Sequence, residues 1–138
     1  MEREEIKKIL PHREPMLLID RVEKKDEKTA LGEYTIKGDE WFLKGHFPGK
    51  PVVPGVILCE MMAQACCILI AGDIKGKTPY FTGINKVKFK NKVLPGDTFK
   101  IECVMLRQKG PFYFAQVKGY TSGKTAVSGE LSFALIDG

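Results

Sequence analysis

Behind two prolines, Pro51 and Pro54, the chain carries the run VILCEMMAQACCILIA (56–71), which is longer than a strand and apolar on nearly every helical face. Such a helix has to be wrapped on most sides, so the rest of the chain must supply a surface that curves around it. Two polar side chains, Glu60 and Gln64, interrupt the run. Four residues apart, they project from the same face one turn above the other and form a single polar stripe. A carboxylate taken out of water there costs several kcal/mol unless it is paired or holds its proton, and a carboxyl that holds a proton is a general acid.

Residues 51–72 contain one formal charge and could be read as a membrane span. Pro51, Pro54 and Gly55 break the start of that segment, and Glu60 and Gln64 would lie at mid-bilayer, so a buried helix without a membrane span is expected. The N-terminus, MEREEIKKILPHREP, contains acids and no unbroken apolar stretch, which predicts a cytoplasmic protein without a secretory signal. With 138 residues, 43% of them hydrophobic, and no linker or repeat, residues 1–138 read as one domain.

Cys59, Cys66, Cys67 and Cys103 form no CxxC pair, and His12 and His46 are too few to complete a zinc-ligand pattern, so neither a metal nor a disulfide is expected. The net charge of +5 and a pI near 9.0 favour an acidic partner. Nucleic acid is not that partner in this reading, because Pro111 interrupts the one aromatic strand, KGPFYFAQV, that resembles an RNA-binding surface.

Residues 2–10 read as a short helix stopped by Pro11, 16–22 as a strand, and 29–37 as a strand with Ala30, Gly32, Tyr34 and Ile36 on one face. After Gly76 a period of two predicts four strands, with turns at 95–97, 109–111 and 122–124, forming an antiparallel meander. In NKVKFKNKV, strict alternation puts Lys86, Lys88, Lys90 and Lys92 on one face and Val87, Phe89, Asn91 and Val93 on the other. The predicted class is α+β, with a curved sheet wrapping one long helix and leaving apolar surface for a symmetric dimer.

His46, in a Gly/Pro-rich loop fourteen residues before Glu60, can take a proton near neutral pH while the carboxyl gives one, a pairing suited to adding or eliminating water. The loop and one helical turn could bring the two together within one chain or between two. Spacing alone leaves open a plain loop histidine and a structural salt bridge. The Pro54-Gly55-Val56 boundary offers unpaired N–H groups at the positive end of a helix dipole, where a thioester oxygen could gain negative charge, or it is simply a helix start.

Three blocks, LPHREPMLLIDRV (10–22), GHFPGKPVVPGVILCEMMAQ (45–64) and FTGINKVKFKNKVLPGD (81–97), resemble in order and spacing the 3-hydroxyacyl-acyl-carrier-protein dehydratases of bacterial fatty-acid synthesis, the FabZ type. The resemblance implies a hot-dog fold and a cofactor-free lyase that removes water from a (3R)-3-hydroxyacyl-[acyl-carrier-protein]. The active sites would lie at the interface of a homodimer, itself part of a trimer of dimers.

On the same resemblance, His46 is the base and Glu60 of the neighbouring subunit is the acid. Gly55 and Val56 bind the thioester carbonyl, and Gln64 orients Glu60. Tyr80 and Phe81 mark the end of an acyl tunnel or belong to the core. Lys88, Lys90 and Lys92 meet the acidic carrier protein or form an ordinary solvated face. The rival readings are a hot-dog acyl thioesterase and a non-enzymatic acyl-carrier-binding module.

Overall fold

The computed structural model describes residues 1–137. The expected wrapping is realised by an antiparallel sheet of β1 (Arg21–Lys24), β2 (Thr29–Thr35), β3 (Lys77–Phe89), β4 (Thr98–Lys109), β5 (Phe112–Thr121) and β6 (Lys124–Asp137) in the order β1-β2-β4-β5-β6-β3. The apolar run forms α2 (Gly55–Cys66), a 3₁₀ turn over Cys67–Ile70 and the short α3 (Ala71–Ile74). This is the hot-dog arrangement, an α+β fold in which the sheet curls around α2. The Gly55–Ile74 segment is long and apolar enough to cross a membrane, but in this fold it is the filling of the sheet.

Period-two patterning produces the wrapping surface. Ala30, Tyr34 and Ile36 from the second strand region, Phe99, Ile101 and Cys103 from β4, Ala115 and Val117 from β5, and Leu131 from β6 are buried against the helix core of Met61, Met62, Ala65 and Cys66. Helix and sheet approach closely where β2 carries Gly32. A Cβ there would lie 3.1 Å from the Ala65 Cβ, so the pair of small residues sets how deeply α2 sinks into the sheet.

Four expectations change. The N-terminal helix α1 covers only Arg3–Ile6. The strand expected over 16–22 begins only at Arg21. Its first residues form no ladder because their amides are used elsewhere: Met16 and Leu17 bond to the Arg13 carbonyl, and Leu18 bonds to the side chain of Gln64.

The meander is confined to β4-β5-β6, since β3 crosses over to pair with β6 at the sheet edge. The lysine alternation also fails. Pairing shifts between Asn85 and Lys88, Lys86 adopts φ +52°, and β3 ends at Phe89. All four lysines are exposed, but Phe89 and Asn91 are exposed beside them rather than facing a core.

As an edge strand, β3 has one unpaired side, and Tyr80, Phe81, Ile84 and Phe89 along it are all exposed. Long apolar edges of this kind are templates for a further strand.

Candidate active site

The polar stripe of α2 faces a cavity of about 240 Å³, lined by Glu60, Ala63, Gln64 and Cys67 at helical spacing and closed by His12, Phe133 and the β3 residues Pro79, Tyr80 and Phe81. Gln64, 2% exposed, has every hydrogen-bonding direction but one fixed. Its Oε1 accepts from the Leu18 amide at 2.8 Å, and its Nε2 donates to the Met16 carbonyl at 2.8 Å and to Glu60 Oε2 at 2.9 Å. The i,i+4 pair read from the sequence is therefore a real contact, and it also ties the 16–18 segment to the helix.

Glu60 has a second partner that sequence reasoning missed. His12 Nε2 lies 3.3 Å from the same Oε2. His12 figures in the sequence argument only as one of too few zinc ligands. The signal available was a histidine in a loop bounded by Pro11 and Pro15, but a chain separation this long gives no contact to read.

Tyr80 and Phe81 both border the cavity, and both are exposed, so they are wall and not core. The thiols near Glu60 are held neutral. Burial, with the negative charge of Glu60 adding to it, pushes Cys59 up to about 11. Burial, reinforced by Cys66 and Glu60, raises Cys67 further. The other titratable groups that line this cavity are the Glu60 carboxyl, the His12 imidazole and the Tyr80 phenol.

His46 does not line this cavity. It sits in the loop before α2, where its amide bonds to the Leu43 carbonyl and its own carbonyl accepts from the Val52 amide at 2.9 Å. Its Nδ1 lies 2.9 Å from the Val52 carbonyl oxygen. A carbonyl only accepts, so Nδ1 carries the proton, and in the neutral ring Nε2 keeps a lone pair.

Val52 also lines a second cavity, of about 490 Å³, together with Gly55, Val56, Phe89, Lys90, Asn91, Lys92 and Val93. Gly55 opens α2, and the first amides that bond back, Ile57 and Leu58, both reach the Pro54 carbonyl. The Gly55 and Val56 N–H groups have no partner among the described residues, and Val56 is 71% exposed. A side chain at 55 would press its Cβ to 2.8 Å from the Phe89 ring.

The structure thus brings together Glu60, Gln64, Tyr80 and Phe81 in one cavity. Gly55, Val56, Lys90 and Lys92 line the other, His46 reaches it only through its contacts with Val52, and Lys88 lies outside both. Among the described residues no group of three or more His, Cys, Asp or Glu side chains could hold a metal ion.

Residues 10–130 match the model of the FabA-like domain. The chain belongs to this family. It is 45% identical over 133 residues to the 3-hydroxyacyl-[acyl-carrier-protein] dehydratase FabZ of Clostridium perfringens (strain SM101 / Type A), covering 95% of this chain and 96% of that protein. It is 47% identical over 133 residues to the FabZ of Caldicellulosiruptor saccharolyticus, with 94% and 95% covered.

Among solved structures it resembles the dehydratase heterocomplex ApeI:P of Xenorhabdus doucetiae, with TM-score 0.82 and 22% identity over 96% of this chain and 91% of that one. It also resembles the fluoroacetyl-CoA thioesterase FlK, with TM-score 0.69 and 16% identity over 79% and 85%. At such identities the two structures share a fold with this family member, and dehydratases and thioesterases both use it.

Proposed function

We propose that the protein is a 3-hydroxyacyl-[acyl-carrier-protein] dehydratase acting in fatty-acid elongation, with each active site built from two copies of the chain. The observation that carries the activity is the near full-length match to FabZ dehydratases. The shared site is supported by the separation of His46 from the Glu60 cavity within one chain.

In the reaction, Nε2 of His46 takes the proton from the carbon next to the thioester. The thioester oxygen gains charge against the Gly55 and Val56 amides, where fixed N–H dipoles stabilise it. The electron pair forms the C2–C3 double bond as the C3–O bond breaks, and Glu60 of the other chain protonates the departing hydroxyl to give water. The histidine ends with one proton more and the glutamate with one fewer, and exchange with solvent resets both. Lys90 and Lys92 beside the amide cavity, with Lys88, receive the acidic carrier protein, which enters in the cytoplasm without a cofactor.

The test combines product analysis with subunit mixing. Wild-type protein given a 3-hydroxyacyl-carrier-protein should yield the conjugated enoyl thioester. Free thiol would show a thioesterase, and tight binding without turnover would show a binding module. His46→Ala and Glu60→Gln should each lose at least roughly a hundredfold in turnover while staying folded. Mixed and exchanged in equal amounts, they should recover about a quarter of wild-type activity, because half the dimers then carry one intact site of two. Heterodimers confirmed by native mass spectrometry but lacking recovered activity would overturn the shared site.

A further inference from the structure

Two nitrogens address one oxygen of Glu60. Gln64 Nε2 lies 2.9 Å and His12 Nε2 3.3 Å from Oε2, while Oε1 accepts no hydrogen bond among the described residues. His12 is not a loosely attached surface ring. Its loop is stapled by Arg13, whose Nη1 donates to the carbonyls of Leu10 and His12 at 2.9 and 2.7 Å and whose Nη2 reaches the Lys7 carbonyl at 3.2 Å. The imidazole and the Glu60 carboxyl are each about one-fifth exposed, at 20% and 21%.

The orientation of the contact follows from the other ring nitrogen. His12 Nδ1 is buried without a partner among the described residues. A proton on that atom would be an unpaired buried donor, whereas an empty lone pair is the milder omission. The Nε2–H tautomer is therefore favoured, and it places the ring N–H in close polar contact with Glu60 Oε2. With the Gln64 amide donating to Oε2 and the His12 N–H beside it, the neutral carboxyl carries its own proton on Oε1, the oxygen left free for a substrate.

We propose that His12 is a positioning residue for the acid step. Together with Gln64 it holds Oε2 and thereby fixes the transferable proton of Glu60 on Oε1. This rests on the reading of Glu60 as the acid.

The test uses a 3-hydroxydecanoyl pantetheine thioester, with His12→Ala, His12→Gln and Glu60→Gln prepared in the full chain and checked by thermal melting. Removing the N–H beside the carboxyl should lower kcat by roughly tenfold and change KM by less than about twofold, because the aromatic walls Tyr80, Phe81 and Phe133 stay in place. His12→Gln, which restores an N–H near the position of Nε2, should regain most of that kcat. In the Glu60→Gln background, His12→Ala should cause no further loss, since it acts only through that carboxyl. Should His12→Ala fail to fold, His12→Phe keeps the ring volume without the donor and carries the same comparison.

Wild-type kcat in folded His12→Ala alongside a crippled Glu60→Gln would overturn the role of His12 and leave the acid in place. An equal further loss in the Glu60→Gln background, or no rescue by His12→Gln, would also overturn it. Near-normal turnover in Glu60→Gln would instead sink the acid assignment, and this proposal with it.

Discussion

Gln64→Met removes the hub that joins the candidate site to the fold while nearly preserving side-chain volume. Three hydrogen bonds disappear together: Leu18 N–H to Oε1, and Nε2 to the Met16 carbonyl and to Glu60 Oε2. The Leu18 amide belongs to a residue only 2% exposed, so water does not replace its acceptor. An orphaned buried donor costs about 1–3 kcal/mol, and the partly buried Met16 carbonyl adds about 1 more. Methionine recovers about 1 kcal/mol of that by apolar burial.

The net loss is about 1–3 kcal/mol, and with about 3–4 °C of Tm per kcal/mol for a chain of 138 residues the variant should melt roughly 3–12 °C below wild type. The measurement is a pair of melts at one protein concentration, with amide exchange of Leu18 followed alongside. Protection at Leu18 should fall more than protection at Phe99 or Ile101 in the opposite wall. A Tm within about 2 °C and unchanged Leu18 exchange would refute the view that this side chain anchors the 16–18 segment.

Three further outcomes follow from other parts of the molecule. Lys90→Glu with Lys92→Glu should raise the KM for carrier-bound substrate and weaken its salt dependence while sparing a pantetheine thioester; equal loss on both substrates would place the damage in the cavity itself. Gly119→Ala should destabilise by about 1–3 kcal/mol, because its Cβ would meet the Phe99 ring at 2.2 Å and both Phe99 and Val127 are fully buried; a chemical melt with an unchanged midpoint would show that the ring can move.

The Glu14 carboxyl, held down to about 2 by its own backbone amide and then by Lys7, with Arg3 assisting, starts from an ordinary value of 4.5. Its contribution to stability is complete above 4.5 and is lost as pH falls through about 2. Carboxyl NMR should show that midpoint moving upward in Lys7→Met, and an unmoved midpoint would remove Lys7 from the network.

The helix and the strands were legible because each has a period that a local window contains. Apolar residues around the whole circumference mark 56–71, and alternation marks β4 through β6. Failures occurred where a distant group decided the matter. Residues 16–20 are apolar enough for a strand, but Gln64 and the Arg13 carbonyl take the amides that a ladder needs. The lysine stripe was broken by a shift in pairing with β6, which no local pattern encodes. In the candidate site, Glu60 and Gln64 were readable as helical neighbours. His12 was not, because only the return of the N-terminal loop over α2 brings it to the carboxyl.

The two cavities look unrelated within one chain until their common wall is traced. The start of β3 supplies Pro79, Tyr80 and Phe81 to the Glu60 cavity, and its end supplies Phe89, with Lys90 and Lys92 beyond it, to the cavity of the Gly55 and Val56 amides. The same strand has an open, apolar edge. If two copies pair through that edge in antiparallel fashion, the start of one β3 lies beside the end of the other. Glu60 of one chain then faces the amides and the His46 loop of its partner, twice, by symmetry. Pairing through the β1 edge would leave the two halves apart, so activity regained by mixed chains would also identify β3 as the joining strand.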